Sequence, residues 1–126
     1  MKKKLRSITL RELEYSYILG MRIHDERSLL ELKIYHKNVK LHPLCIQILT
    51  WDDPIAGCPL NTGYLLQNHK KGFDDVYNLN HPQRIREWIE YGTAKGWDGT
   101  RTIEIINGLD AMQEMGYDIT SLRTSI

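Results

Sequence analysis

Between Leu13 and Leu19 apolar and polar residues alternate. Leu13, Tyr15, Tyr17 and Leu19 fall on one side; Glu12, Glu14 and Ser16 fall on the other. A period of two marks a half-buried strand, because successive side chains of an extended chain point to opposite faces. Ile8–Leu10 extends this first strand, and Gly20 with the polar run from His24 to Ser28 ends it. Alternation resumes from Leu29 to His36, with Leu30, Leu32 and Ile34 facing one way and Glu31 and Lys33 the other. A connection over 37–43 leads to a third alternating segment, Leu44–Trp51, with Leu44, Ile46 and Ile48 on one face. Three successive strands on short loops predict an antiparallel meander with one core face.

The stretch 61–80 is too long for a bare connection, so it carries structure of its own. Tyr64–Gln67 and Val76–Leu79 read as short strands on either side of a turn near Phe73. The period then changes to that of a helix. Ile85, Trp88, Ile89 and Gly92 recur at i, i+3, i+4 and i+7, with Asn80 or His81 as the cap and Pro82 in the first turn, where a missing N–H costs nothing. Gly96 is placed as the left-handed residue that stops this helix, and Trp97 then folds back on it. Arg101–Ile106 reads as a short strand. A second helix follows, capped by Asn107, with Leu109 and Met112 facing inward, Gly116 as the stop and Tyr117 packing back. Strands first and helices later predict an α+β fold: an antiparallel meander of three to five strands, packed on one face by two C-terminal helices, in a single domain over 1–126.

Pro82, Ile85, Ile89, Gly96 and Trp97, followed by Gly108, Leu109 and Gly116–Tyr117, resemble a pattern in small uncharacterised bacterial α+β proteins. Those proteins carry a strand meander, a helix ending in Gly-Trp and a short last helix; some are suspected toxin-immunity or accessory proteins. The resemblance implies an immunity-like or accessory role and brings no catalytic residue.

Composition narrows the classes of activity. The net charge is +1, and most lysines and arginines are interleaved with acids, so a dedicated nucleic-acid binder is not expected. The opening Met-Lys-Lys-Lys-Leu-Arg is followed by charged residues rather than an apolar run, so neither a signal peptide nor a membrane span is expected. A cytosolic location follows, with Lys2, Lys3 and Lys4 as a solvated terminus. A salt-dependent nucleic-acid contact through the Lys2–Arg6 arm is the remaining alternative of that kind. The two cysteines, Cys45 and Cys58, are far from Cys-x-x-Cys spacing.

The densest chemistry lies in residues 50–59, where Trp51, Asp52, Asp53 and Cys58 sit between prolines and a glycine. Paired acids that work on one bond must flank it at about 5–10 Å with separated pKa values. Adjacent residues at a strand end point apart, so Asp52 is expected to accept peptide N–H groups in a turn. Cys58 lacks an activator, because no helix is expected to begin there. His24, His36, His42, His69 and His81 show no metal-ligand spacing, although His36 and His42 can approach across a hairpin. No glycine pattern for nucleotides is present, so no metal and no cofactor is expected.

The expected second face of the sheet is polar in its middle but carries Ile18, Leu29, Leu49 and Trp51 at one corner, rimmed by Asp52 and Asp53. An apolar corner rimmed by acids suits a protein partner or a second copy of the chain. The first expectation is therefore a small non-enzymatic interaction protein, immunity-like or homodimeric. The alternative is a small hydrolase-type enzyme using Asp52 or Asp53 with a histidine from the later segment.

Overall fold

The computed structural model describes residues 5–37, 39 and 41–123. Lys2, Lys3 and Lys4, and Asn38 and Lys40 of the second connection, lie outside the described residues. The order of elements is β1 (Arg6–Leu10), β2 (Leu13–His24), β3 (Arg27–His36), β4 (Leu44–Trp51), α1 (Pro59–Thr62), β5 (Tyr64–Asn68), β6 (Phe73–Tyr77), α2 (Pro82–Ala94), β7 (Ile106–Asn107), α3 (Gly108–Glu114) and a 3-10 turn at Thr120–Leu122. The fold is α+β. A five-stranded sheet runs in the order β1-β2-β3-β4-β7, and β5 and β6 form a separate two-stranded sheet. β1 to β4 are an antiparallel meander, whereas β7 joins β4 in parallel over two residues.

The first two strands are separate, not one extended segment. They are joined at Arg11 and Glu12, both at positive φ (51° and 68°). The next hairpin turns at Asp25 and Glu26, again both positive (51° and 61°). Such turns have the twist that two-residue hairpins need, and glycine or asparagine normally supplies it. Here neither turn contains one; the first is silent in the sequence, whereas the second falls within the polar run from His24 to Ser28. Gly20 does not end a strand: β2 continues through it to His24, because its backbone stays extended and opposite Glu31.

One face of β2–β4 is the core. Leu30, Leu32, Ile34, Leu44, Ile46 and Ile48 are all buried, as their alternation predicts. α2 buries Ile85, Trp88, Ile89 and Gly92, the stripe read from its period. Gly92 lies against Leu44, and Gly108 of α3 lies against Ile48 and the Gln47 carbonyl. α2 and α3 end as expected. Trp97 N–H donates to the Gly92 carbonyl and Gly96 N–H to that of Thr93; Tyr117 N–H donates to Met112 and Gly116 N–H to Gln113. Each is the paired 6→1 and 5→2 closure of a Schellman end, with Gly96 at φ 101° and Gly116 at φ 103°.

Three expectations are corrected. Arg101–Ile106 is not a strand; only Ile106–Asn107 pairs. Asp98 instead draws in the Thr100 N–H and hydroxyl (2.9 and 2.6 Å), folding the preceding chain into a turn. The sixth strand is Phe73–Tyr77 rather than Val76–Leu79. A short helix, Pro59–Thr62, follows Cys58, where none was expected. Asn107 does cap α3, accepting from Asp110 N–H at 3.3 Å. His81 occupies the cap position of α2 without a side-chain bond.

Candidate functional site

On the second face of the sheet the register sets out rows of neighbours. Arg22, Leu29 and Leu49 form one row; Arg27 faces Trp51; Ile18, Lys33 and Cys45 form another. Leu29 and Leu49 are therefore cross-strand partners. Ile18 is not with them. Because β2 runs on to His24, the residue opposite Leu29 is Arg22, and Ile18 lies four positions away along the strand. The expected corner thus consists of Leu29, Leu49 and Trp51.

β7 covers only Ile46 and Gln47 of β4, so the sheet edge beyond them is not covered by a full strand. A groove of about 570 Å³ opens there, lined by Leu29, Gln47, Leu49, Ile105, Ile106, Asn107, Leu109 and Arg123. Leu49 is 39% exposed and Ile105 58% exposed. Trp51 is held more firmly than a free recognition residue. Its indole N–H donates to the Ser121 carbonyl at 2.7 Å, and Tyr64 meets its ring edge-on at 5.7 Å. The Thr50 hydroxyl donates to the Leu122 carbonyl, also at 2.7 Å. Two side chains of one strand end therefore fasten the C-terminal turn beside the groove.

The two aspartates have different work. Asp53, not Asp52, makes the Asx-type turn: its carboxylate accepts the N–H groups of Ile55 and Ala56, each at 2.8 Å. Those two peptide donors hold the Asp53 carboxyl below the usual range. Asp52 accepts the hydroxyl of buried Ser28 at 3.1 Å. Among the described residues neither carboxylate has a histidine partner.

Cys58 is buried at the start of α1. Burial pushes its thiol up, against the opposing pull of the Leu60 N–H, the neighbouring Ser28 and the Asn61 N–H. The Asp52 carboxylate, which accepts the Ser28 hydroxyl, adds to the rise. Cys45 sits on the second face beside Lys33, where burial again raises its thiol pKa. Both cysteines are free.

His36 and His42 do converge, but on an aromatic ring. His36 stacks on Trp97 at 4.8 Å and touches Tyr15 at 4.9 Å. The Trp97 indole N–H donates to the His42 carbonyl at 2.9 Å, and the His42 ring shares a hydrogen bond with the Thr102 hydroxyl at 2.7 Å. Among the described residues no group of three potential metal ligands forms.

One cluster of five ionisable groups among the described residues is not announced by sequence spacing. Arg84 is 3% exposed. It bonds Asp75 at 2.7 Å, Glu87 at 3.1 Å and the Tyr117 hydroxyl at 2.8 Å. Lys71 reaches Glu87 at 3.1 Å, and Asp75 and the Tyr117 hydroxyl at 3.3 Å each. Beneath them Trp88 donates to the Tyr77 hydroxyl at 3.0 Å, and the guanidinium lies over the Tyr77 ring at 4.9 Å. Burial pushes Asp75 up, but Arg84 and Lys71 outweigh it and leave it below the usual carboxylate range. Burial, then Glu87, raises Tyr117, and burial raises Tyr77 strongly. Two cations meet two anions, and the shared phenol lies between them, so the cluster is charge-balanced. It joins β6, α2 and the chain after α3. The only sequence signal was Arg84 and Glu87 at i, i+3 on one helix; Lys71, Asp75 and Tyr117 come from other elements.

No protein-family model, no curated protein and no solved structure matches this chain. No helix among the described residues is long and apolar enough to cross a membrane.

Proposed function

We propose that this protein is a small non-enzymatic binding module that engages a protein partner, or a second copy of itself, through the groove at the Leu29–Leu49 pair. Two C-terminal helices packed on one face of the sheet leave the opposite face for recognition. The observation that carries the reading is that groove: aliphatic side chains from three separate segments line it on an otherwise polar face, and exposed apolar concavities of this kind are characteristic of contact sites. The clustered chemistry elsewhere supports the same reading. The cations and carboxylates around Arg84 pair with one another, and Cys58 is buried. A hydrolase reading needs a histidine beside Asp52 or Asp53, and their carboxylates are instead taken up by a buried hydroxyl and two peptide N–H groups. An immunity-like or accessory role, as the resemblance of the helix ends implies, fits a module of this kind.

The test is the double variant Leu29→Ser/Leu49→Ser. Circular dichroism and thermal melting should show a folded chain, and association, by sedimentation velocity and by partner pull-down, should be lost. A folded variant with an unchanged sedimentation profile and unchanged pull-down would overturn the proposal.

A further inference from the structure

A second hollow lies apart from the groove, where the hairpin of β1 and β2 meets α2. It is a cleft of about 330 Å³. Leu10 and Leu13 from the hairpin and Ile89 and Ala94 from the helix give it aliphatic walls. Ligand sites commonly span about 300–1,000 Å³, so this one suits a single ring or a short chain. Two long polar contacts bridge hairpin and helix here. Arg86 Nε reaches the Thr9 carbonyl at 3.5 Å, and Arg11 reaches Glu90 at 3.9 Å.

Tyr15 gives the cleft its chemistry. It lines the hollow and is 4% exposed. Its ring lies against those of His36 and Trp97, with centroids 4.9 and 6.1 Å away. Among the described residues no group bonds its hydroxyl, whereas a phenol so buried usually has a partner. Burial pushes its pKa up, and the charge of Arg11 opposes the rise. The hydroxyl therefore lies in the field of a guanidinium that lines the same cleft. That field makes the phenol a better donor than acceptor, which disfavours a cationic ligand. Arg11 carries five N–H donors. Its side chain is 80% exposed and that of Glu90 is 53% exposed, and so open a pair holds weakly. The cleft thus combines one buried neutral donor and one exposed cationic donor with aliphatic walls.

We propose that this cleft binds a small organic carboxylate whose apolar body is one short chain or one ring. The carboxylate accepts from the Tyr15 hydroxyl and from the Arg11 guanidinium, and Glu90 turns out to water. The body covers Leu10, Leu13, Ile89 and Ala94. Bonds from such donors to an ionised acceptor are the stronger kind. The site is separate from the groove at Leu29 and Leu49, and it stands whichever way the partner reading is decided.

An amide NMR titration of the full chain with octanoate tests it. Saturable shifts should centre on residues 10–15 and 89–94. Tyr15→Phe keeps the ring, and Arg11→Gln changes an exposed turn residue. Each should bind octanoate about tenfold more weakly. Glu90→Gln should bind it more tightly, because a competing carboxylate is gone. Octanol, the same body without the charge, should bind at least about tenfold more weakly than octanoate. Thermal melting verifies that each variant is folded, and Arg11→Gln keeps the test decisive if Tyr15→Phe is destabilised. The absence of saturable shifts up to about 10 mM octanoate, a concentration that populates even a millimolar site, overturns the proposal. So do shifts centred elsewhere, octanol binding as tightly as octanoate, weaker binding by Glu90→Gln, or undiminished binding by either of the other two variants when folded.

Discussion

Replacing Arg84 with methionine should destabilise the fold by about 2–3 kcal/mol near neutral pH, and by clearly less in acid. Methionine keeps an unbranched stem in the buried slot but removes every polar bond of the guanidinium. Asp75 loses its 2.7 Å partner, Glu87 loses one of two cations, and the Tyr117 hydroxyl loses its shortest contact. Breaking a fully buried pair by removing one member costs about 3–5 kcal/mol. Here Asp75 and Glu87 are 20% and 22% exposed and keep Lys71, so part of that cost returns through water and the remaining cation. For a chain of this length 2–3 kcal/mol corresponds to a loss of about 8–12 °C in Tm.

The pH dependence follows from Asp75. Its carboxyl is held below the ordinary value of 3.8 in the folded chain. Below about pH 5 the unfolded chain therefore binds more protons at this site than the folded one. The stability it contributes is complete above the unfolded value and disappears as pH falls through the depressed folded value. The difference between wild type and Arg84→Met should shrink over that interval. Urea unfolding followed by tryptophan fluorescence at pH 7 and pH 3 measures it. A double-mutant cycle with Asp75→Asn isolates the pair. An equal cost at both pH values, or a coupling energy below about 0.5 kcal/mol, would refute the electrostatic account.

Gly108→Ala should destabilise by about 1–3 kcal/mol despite the better helix propensity of alanine, because a Cβ there would stand 2.1 Å from an Ile48 side-chain carbon and 3.0 Å from the Gln47 carbonyl. Chemical or thermal melting gives the sign, and a stabilised variant would show that α3 slides freely over β4. Native-state alkylation should label Cys45 before Cys58, since Cys58 is 2% exposed with a raised thiol pKa. Mass spectrometry of a time course checks the order, and rapid labelling of Cys58 in the folded protein would contradict its burial.

The alternation at 13–19, 29–36 and 44–51 placed three strands on one core face because the pleat enforces a period of two whatever surrounds it. The two helix ends were equally legible. A glycine followed by an aromatic, one turn past an apolar stripe, closes the Schellman bonds from local geometry alone. The Arg11-Glu12 turn was not legible, and at Asp25-Glu26 the polar run showed a break but not where the strand ends, since both turns adopt positive φ without the residues that usually mark it. That gap had a consequence. Ending the strand at Gly20 placed Ile18 at the apolar corner, and the register instead places Arg22 there.

What the amino-acid sequence determined by itself is whatever depends on neighbours within a few residues: strand faces, helix stripes, caps and stops. What only the tertiary structure decided is what depends on residues brought together from a distance. The assignment of Asp52 to Ser28 is of this kind. So is the convergence of Lys71, Asp75, Arg84, Glu87 and Tyr117. The groove between Leu29, Leu49 and Ile105 exists because β7 pairs with β4 over just two residues, and nothing local to either segment sets that length. The physical reason is common to all three: side-chain direction is fixed by backbone period, but side-chain partners are fixed by register and packing, which need the whole chain.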